Sequence, residues 1–438
     1  MSFTFDREAY NRRMAWYTEA RFGMFLHWGV YSIPARHEWV RSYENIPTEA
    51  YEPLMDEFNP AHCDMRQWME AARDAGMKYV VLTAKHHDGF CLYDSAYTDF
   101  KSTNSPAKRD FVREFLEAAR SCGLRAGLYF SLIDWRHPDY PHYGDRYHPM
   151  RDNPEESNEN RNFDRYLEYL HNQVRELCTN YGKLDLLWFD FSYDNLRGEA
   201  WKATELMKMV RSLQPDVIID NRLEVSGEGF GSLAACKPTP YHGDFVSPEQ
   251  IIPPNGLQDA NGDPLIWESC VTMNNHWGYC ATDHFYKPAS MLIKKLVECV
   301  SKGGNLLLNV GPDATGQFPK ESLAILKEIG AWMHDNAKSI YGCGMSGLEK
   351  PDFGRFTRRG NTLYAHIFEN TIGPLPLFGV PKSQIASIRR LADGSEVQLS
   401  TSWVHSDYPD LAFADLGENP VLPDPIDTVL EIQLHPEQ

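Results

Sequence analysis

The chain has 438 residues, with 61 acidic side chains against 43 Lys and Arg and a formal net charge of -18, so its overall field repels nucleic acid and anionic lipid and favours a neutral or cationic partner. It holds enough residues for one large domain and a smaller one, or for two to three ordinary domains, no apolar run approaches the roughly 20 residues of a membrane span, and Met1 to Glu8 lack the apolar core of a signal peptide, so a cytoplasmic location is expected. Nine cysteines without a C-x-x-C pair, and no N-x-S/T sequon, argue against a disulfide framework, a structural zinc site and a secretory history.

In chain order, short apolar runs at Phe22 to Trp28, Met77 to Ala84, Leu124 to Ser131, Leu184 to Asp190, Asp216 to Arg222, Leu265 to Cys270 and Asn305 to Gly311 predict seven strands. Helix-spaced apolar residues separate most of them, over Arg66 to Ala75, Phe111 to Cys122, Phe163 to Tyr181, Ala200 to Leu213 and Ser290 to Ser301, several ending at Gly or Pro. This alternation means an α/β fold of parallel strands and crossover helices, either a (β/α)8-like TIM barrel or a doubly wound sheet. No G-x-G-x-x-G follows the first strand, which removes the main support for the dinucleotide-binding sheet and leaves the barrel as the expectation. With seven strands in view, barrel closure stays open and an irregular barrel is allowed.

Beyond the helical stretch Ser322 to Ser339, short alternating segments replace that rhythm: Arg355 to Phe368, Ile385 to Leu391, Glu396 to Leu399, Leu411 to Leu416 and Thr428 to Leu434. They predict a C-terminal antiparallel β-sandwich of about 100 residues. The expected division is a barrel over 1–341 and a sandwich over 342–438. Two long Pro/Gly-rich connections, His137 to Asn160 and Gly227 to Pro264, have the length of functional lids or site walls.

The predicted carboxyl ends of five successive strands carry polar or aromatic groups: His27-Trp28-Gly29 with His37-Glu38-Trp39 downstream; Lys85-His86-His87-Asp88; Tyr129 and Ser131; Trp188 and Asp190; Asn221-Arg222. Taken alone, Asp190 reads first as a cap for the next helix. Five strand ends converging on one rim are the arrangement of a barrel active site.

Neutral imidazoles, an Arg, a Glu and flat indoles suit a polyhydroxylated ligand with apolar C–H faces, which points to a sugar. Glycoside hydrolysis needs two carboxyl groups; Asp190 supplies one, and Glu224, Glu228, Glu249 and Glu268 are the candidates for the other, with position alone not choosing among them. A rival reading makes His27, His86, His87 and Asp88 metal ligands. Against it, adjacent histidines on a strand point to opposite faces, so no metal is expected. A third reading is a sugar-binding barrel without catalysis, against which Asp190 weighs.

Phe22-Gly23-Met24-Phe25-Leu26-His27-Trp28-Gly29 with Glu38-Trp39, Ala84-Lys85-His86-His87-Asp88-Gly89-Phe90, Leu187-Trp188-Phe189-Asp190, and Trp267-Glu268-Ser269-Cys270 with Trp277-Gly278-Tyr279 together resemble the α-L-fucosidases of glycoside hydrolase family 29. The resemblance implies a retaining exo-glycosidase with a barrel and a β-sandwich, no cofactor, and a small-molecule substrate, a fucosylated oligosaccharide; no nucleic acid or membrane partner is implied, and a homo-oligomer is left open. It carries the nucleophile onto Asp190 and fucose contacts onto His27, Glu38, Trp39, His86, His87, Tyr129, Trp188 and Arg222. Gly243-Asp244-Phe245-Val246-Ser247-Pro248-Glu249 resembles the segment bearing the acid/base, which makes Glu249 the choice and Glu268 a supporting residue. Phe191 departs from the pattern, since many relatives have Gly after the nucleophile. In such a site the two carboxyl groups stand about 5 to 5.5 Å apart. Arg222 is expected to lower the pKa of Asp190 by opposite charge, and the negative Asp190 to raise that of Glu249.

Overall fold

A computed structural model describes residues 3–226, 229–401 and 406–436. The seven apolar runs form one parallel sheet of β1 Phe22–Leu26, β2 Tyr79–Lys85, β3 Arg125–Ser131, β4 Leu186–Asp190, β5 Ile218–Ile219, β6 Glu268–Thr272 and β7 Asn305–Val310, in the spatial order β5-β4-β3-β2-β1-β7-β6. Nearly every residue in these strands is buried, because helices cover the outer face and the curled sheet covers its own inner face; this is why the runs read as continuously apolar instead of alternating.

The helices follow their caps. Asp64 accepts from Arg66 N at 2.9 Å, Asp110 from Arg113 N at 2.9 Å and Asn162 from Arg165 N at 3.2 Å, each satisfying an orphan donor of a helix first turn. One long helix escaped the sequence reading: α1, Arg7–Ala20. Its polar composition masks a buried stripe of Tyr10, Met14, Tyr17 and Ala20. It stoppers the end of the barrel away from the strand tips, with the Tyr17 ring 4.9 Å from Phe245 and 5.4 Å from Tyr79. The remaining large helices match the predicted ones to within a few residues: α2 Met65–Asp74, α3 Phe111–Ser121, α4 Phe163–Asn180, α5 Ala203–Leu213, α6 Ala289–Ser301 and α7 Lys320–Asn336.

Between β5 and β6 an extended segment does the work of an eighth strand through single parallel bridges, Asp220 to Phe245, Val246 to Trp267 and Glu249 to Cys270. Gly243 lets it approach, since a Cβ there would collide with the backbone of Asp220 and Asn221. The buried Asp244 then pins it, accepting from Ile219 N at 2.9 Å and pairing with Arg13 of α1 at 2.8 Å and Arg211 of α5 at 2.6 Å. The barrel is (β/α)8-like and irregular, with the Phe245 to Glu249 part of the connection between β5 and β6 supplying its closure.

C-terminal to the barrel, β8 Gly354–Arg359, β9 Thr362–Ile367, β11 Ile385–Arg390 and β13 Thr428–Leu434 make an antiparallel sheet in the order β11-β13-β9-β8, facing the pair β10 Leu375–Pro381 and β12 Leu411–Ala414 across their own apolar core. Prolines at both 376 and 381 and Gly379 hid β10 from the pattern. Glu396 to Leu399, expected as a strand, makes only isolated bridges to Arg389 and Ala414. Among the described residues no helix is long and apolar enough to cross a membrane.

Candidate active site

At the carboxyl ends of the barrel strands lies a cavity of about 760 Å³ whose walls include His27, Glu38, Trp39, His86, His87, Tyr129, Trp188, Asp190, Arg222 and Glu249. The ten residues that the family resemblance assigned therefore share one space. The floor is aromatic: Tyr129 and Trp188, opposite one another on β3 and β4, stack with centroids 5.6 Å apart, and the Arg222 guanidinium lies 4.6 Å over the indole.

Arg222 organises the carboxylates. It sits in the short helical turn Asn221–Leu223 that follows β5 and is buried. Its Nη1 donates to Asp190 Oδ1 at 3.0 Å and its Nη2 to Glu249 Oε2 at 3.0 Å, so the two acids hang on one guanidinium. Its Nε and Nη2 also donate to the Ser247 hydroxyl and carbonyl, both at 3.1 Å. Ser247 is held in turn by Asn221, which fixes the closing segment two residues before Glu249. The acids differ in exposure, with side chains 12% exposed for Asp190 and 42% for Glu249. Asp190 belongs to the floor and Glu249 faces the mouth.

Around Asp190, Tyr129 donates to Oδ2 at 2.8 Å and His87 Nε2 stands 4.0 Å from the same oxygen. Its pKa is raised to about 6, because burial outweighs the opposing Arg222 and the nearby Glu249 adds to the rise. This reverses the sequence expectation of a carboxyl lowered by Arg222; the guanidinium acts in the expected sense, but the cost of ionising a carboxyl out of water is larger. Glu38 is likewise pushed up, to about 7, by burial, though its Oε2 accepts from Gly278 N at 2.7 Å. Burial also depresses the imidazoles, His27 to about 3 and His86 and His87 well below the usual range, so near pH 7 they are neutral hydrogen-bonding groups. His27 Nδ1 is matched to Asn309 Oδ1 at 2.7 Å and His87 Nδ1 to the Ser131 hydroxyl at 2.7 Å, while His86 Nδ1 is buried without a protein partner.

Several expectations need correction. His86 and His87 do not point apart: both line the cavity, their rings 4.0 Å from each other. β2 is out of register with β3 between Thr83 and Lys85 and ends at Lys85, so both histidines lie in a turn where strand alternation no longer applies. Lys85 and Asp88, at the same strand end, leave the site. Lys85 faces the helix side, 3.5 Å from Asp134 and 3.1 Å from Gln173, and Asp88 accepts from the Tyr51 hydroxyl at 2.8 Å. Among the described residues no three His, Cys, Asp or Glu side chains converge as metal ligands. Of the rival acids, Glu224 spends its carboxylate on Ser232 N and the Thr239 hydroxyl. Glu268 is wholly buried beneath the floor, where the Tyr79 hydroxyl and the Trp188 indole N–H donate to it. Glu228 lies outside the described residues.

Other walls carried no assigned role in the sequence. His37 stacks on His276 at 5.0 Å, the Trp277 ring lies 5.1 Å from His27, and the 137–160 loop contributes Arg146, Tyr147 and Arg151. Trp277 had a signal in the Trp-Gly-Tyr motif; the loop residues follow no periodic pattern.

Two carboxyl groups on one arginine, one sunk in an aromatic sugar-sized floor and one open to the mouth, at the strand tips of a (β/α)8-like barrel, define a glycoside hydrolase. The chain matches the sequence model of the α-L-fucosidase family over residues 2–338. It is 31% identical over 389 residues to an α-L-fucosidase of Dictyostelium discoideum, covering 81% of this chain and 77% of that protein. Among solved structures, α-L-fucosidase isoenzyme 1 from Paenibacillus thiaminolyticus is similar with a TM-score of 0.94 and 54% identity over 98% of this chain and 100% of that one. A family 29 α-L-fucosidase from Bacteroides thetaiotaomicron, trapped as a covalent intermediate with 2-fluoro-fucosyl fluoride, is similar with a TM-score of 0.82 and 28% identity over 99% and 98% of the two chains. The chain belongs to the α-L-fucosidases of glycoside hydrolase family 29.

Proposed function

We propose that this protein releases terminal L-fucose from fucosylated oligosaccharides or glycoconjugates by double displacement, with Asp190 as nucleophile and Glu249 as acid/base. The observation that carries the reading is the shared Arg222, which brings both carboxyl groups to one point of the cavity. In the first step an Asp190 oxygen attacks the anomeric carbon, the glycosidic C–O bond breaks, and Glu249 gives its proton to the departing oxygen. In the second, Glu249 takes a proton from water, the water oxygen bonds to the anomeric carbon, and the Asp190 carboxylate leaves with its electron pair. The better-exposed Glu249 suits the partner that must meet both leaving group and water. The neutral histidines, Glu38 and Trp39 line the space for the fucose hydroxyls, and the unpartnered His86 Nδ1 is a ready hydrogen-bonding atom there.

Azide added to Asp190→Gly tests the assignment. Formation of a fucosyl azide with inverted anomeric configuration is expected, while Asp190→Ala turning over an aryl α-L-fucoside at the wild-type rate would end it.

A further inference from the structure

Phe191, directly after Asp190, holds φ at 84°, a left-handed conformation that glycine enters freely and a bulky side chain occupies only under strain. Strain of this kind persists where the surroundings hold it in place, and it clusters at functional sites. The half-buried ring meets His87 edge-on at 4.7 Å and Trp39 at 5.4 Å on its inner side, then Tyr147 at 5.0 Å and Tyr193 at 5.4 Å on its outer side. Phe191 thus joins the floor of the site to an outer aromatic wall. That wall is braced from behind, because the hydroxyls of Tyr140 and Tyr193 both donate to Asp145 Oδ2. At about 760 Å³ the cavity falls in the range of sites for ligands much larger than one ring, roughly 300–1,000 Å³. A single deoxyhexose against Asp190 and Trp188 would fill only part of that volume.

We propose that Phe191 is a specificity residue whose ring packs against the C–H face of the first sugar of the leaving group, so that the substrates are α-L-fucosides of another pyranose and not of small non-sugar alcohols. The proposal rests on the fucosidase reading above and names the aglycone of that same site. Aromatic faces suit the apolar side of a pyranose. Its hydroxyl edge finds donors beside them, including the Arg146 guanidinium, 4.7 Å over the Tyr147 ring.

The test compares kcat/KM for wild type, Phe191→Gly and Phe191→Tyr on α-L-fucosyl fluoride, whose leaving group has no ring, and on disaccharides of fucose α-1,2-linked to galactose or α-1,3-, α-1,4- or α-1,6-linked to N-acetylglucosamine. Glycine adopts this backbone conformation without steric strain, so Phe191→Gly is expected to fold. The ratio of the best-cleaved disaccharide to the fluoride should fall about tenfold in Phe191→Gly and stay within about threefold of wild type in Phe191→Tyr. A ratio unchanged in Phe191→Gly, even with both activities lowered, overturns the proposal and makes the ring a brace for Asp190 and His87. A wild type that cleaves the fluoride but none of the disaccharides overturns the aglycone class alone. One that cleaves neither overturns the fucosidase reading and this proposal with it.

Discussion

Tyr129 holds one oxygen of Asp190 while Arg222 holds the other: the phenol donates to Oδ2 at 2.8 Å and Nη1 to Oδ1 at 3.0 Å. Both bonds favour the ionised carboxylate against the burial that lifts its pKa to about 6. Removing the phenol in Tyr129→Phe therefore raises that pKa further. The acid limb of the kcat/KM profile, which reports the free enzyme, is expected near pH 6 in wild type and at higher pH in the variant. Activity at pH 6 should fall by about tenfold or more, the cost of one hydrogen bond to a charged group, and the deficit should shrink toward pH 8. An unmoved limb would show that the phenol does not act on the ionisation of Asp190.

The same raised pKa has a consequence for stability. An aspartate near 3.9 when unfolded and about 6 when folded binds a proton on folding between those values. Its contribution favours the fold below pH 4 and is lost as pH rises through 6, amounting to about 3 kcal/mol in all. Asp190→Asn, which mimics the protonated state, is expected to melt above wild type at pH 7.5 and level with it at pH 4. Thermal denaturation at the two pH values checks this, and a variant less stable than wild type at pH 7.5 would contradict it.

Glu249 and Glu268 are separable by the pattern of damage. Glu249, open to the cavity mouth, should be needed in proportion to the basicity of the leaving group: Glu249→Ala should lose at least about 10² more on an oligosaccharide than on a fluoride or nitrophenyl fucoside in the glycosylation step. Glu268, buried against Tyr79 and Trp188, should behave as a support. Glu268→Ala strands two buried donors, costs about 2–5 kcal/mol of stability and lowers both substrate classes alike. Single-turnover rates and melting curves on the two variants decide it; leaving-group dependence in Glu268→Ala would reverse the roles.

The barrel and its rim were legible because both depend on short-range chemistry. Strands buried on two faces must be apolar throughout, and each was followed by the polar residues that its tip projects, as at Leu186–Asp190. What the sequence hid was set at long range. The stripe of α1 is diluted by arginines, and the closing strand exists only as single bridges that depend on Gly243 and Asp244. The shared inward aim of His86 and His87 comes from a register shift against β3. The upward shift at Asp190 depends on burial, which no motif states. Tyr147 and Tyr193 reach the outer wall from irregular segments, so no period could announce them.

At the joint between barrel and sandwich a polar cluster is fully buried. His366 of β9 pairs through Nδ1 with Asp427 Oδ2 at 2.7 Å, and its Nε2 lies 3.2 Å from the Thr357 hydroxyl of β8, which donates to Ser339 O just beyond α7 at 2.8 Å. From α7 itself the Trp332 indole donates to Asp427 O at 3.3 Å. Both side chains of the pair are fully buried, and removing the carboxyl group leaves His366 Nδ1 buried and unmatched, at a cost of about 1–3 kcal/mol. Asp427→Ala is therefore expected to lower the melting temperature by a few degrees, at the roughly one degree per kcal/mol that a chain this long gives. The cluster lies outside the catalytic cavity, so kcat well below the melting point should change far less than the stability does. A loss of kcat at 20 °C comparable to that of Glu249→Ala, with melting unchanged, would mean that the joint acts on the active site and not on the fold.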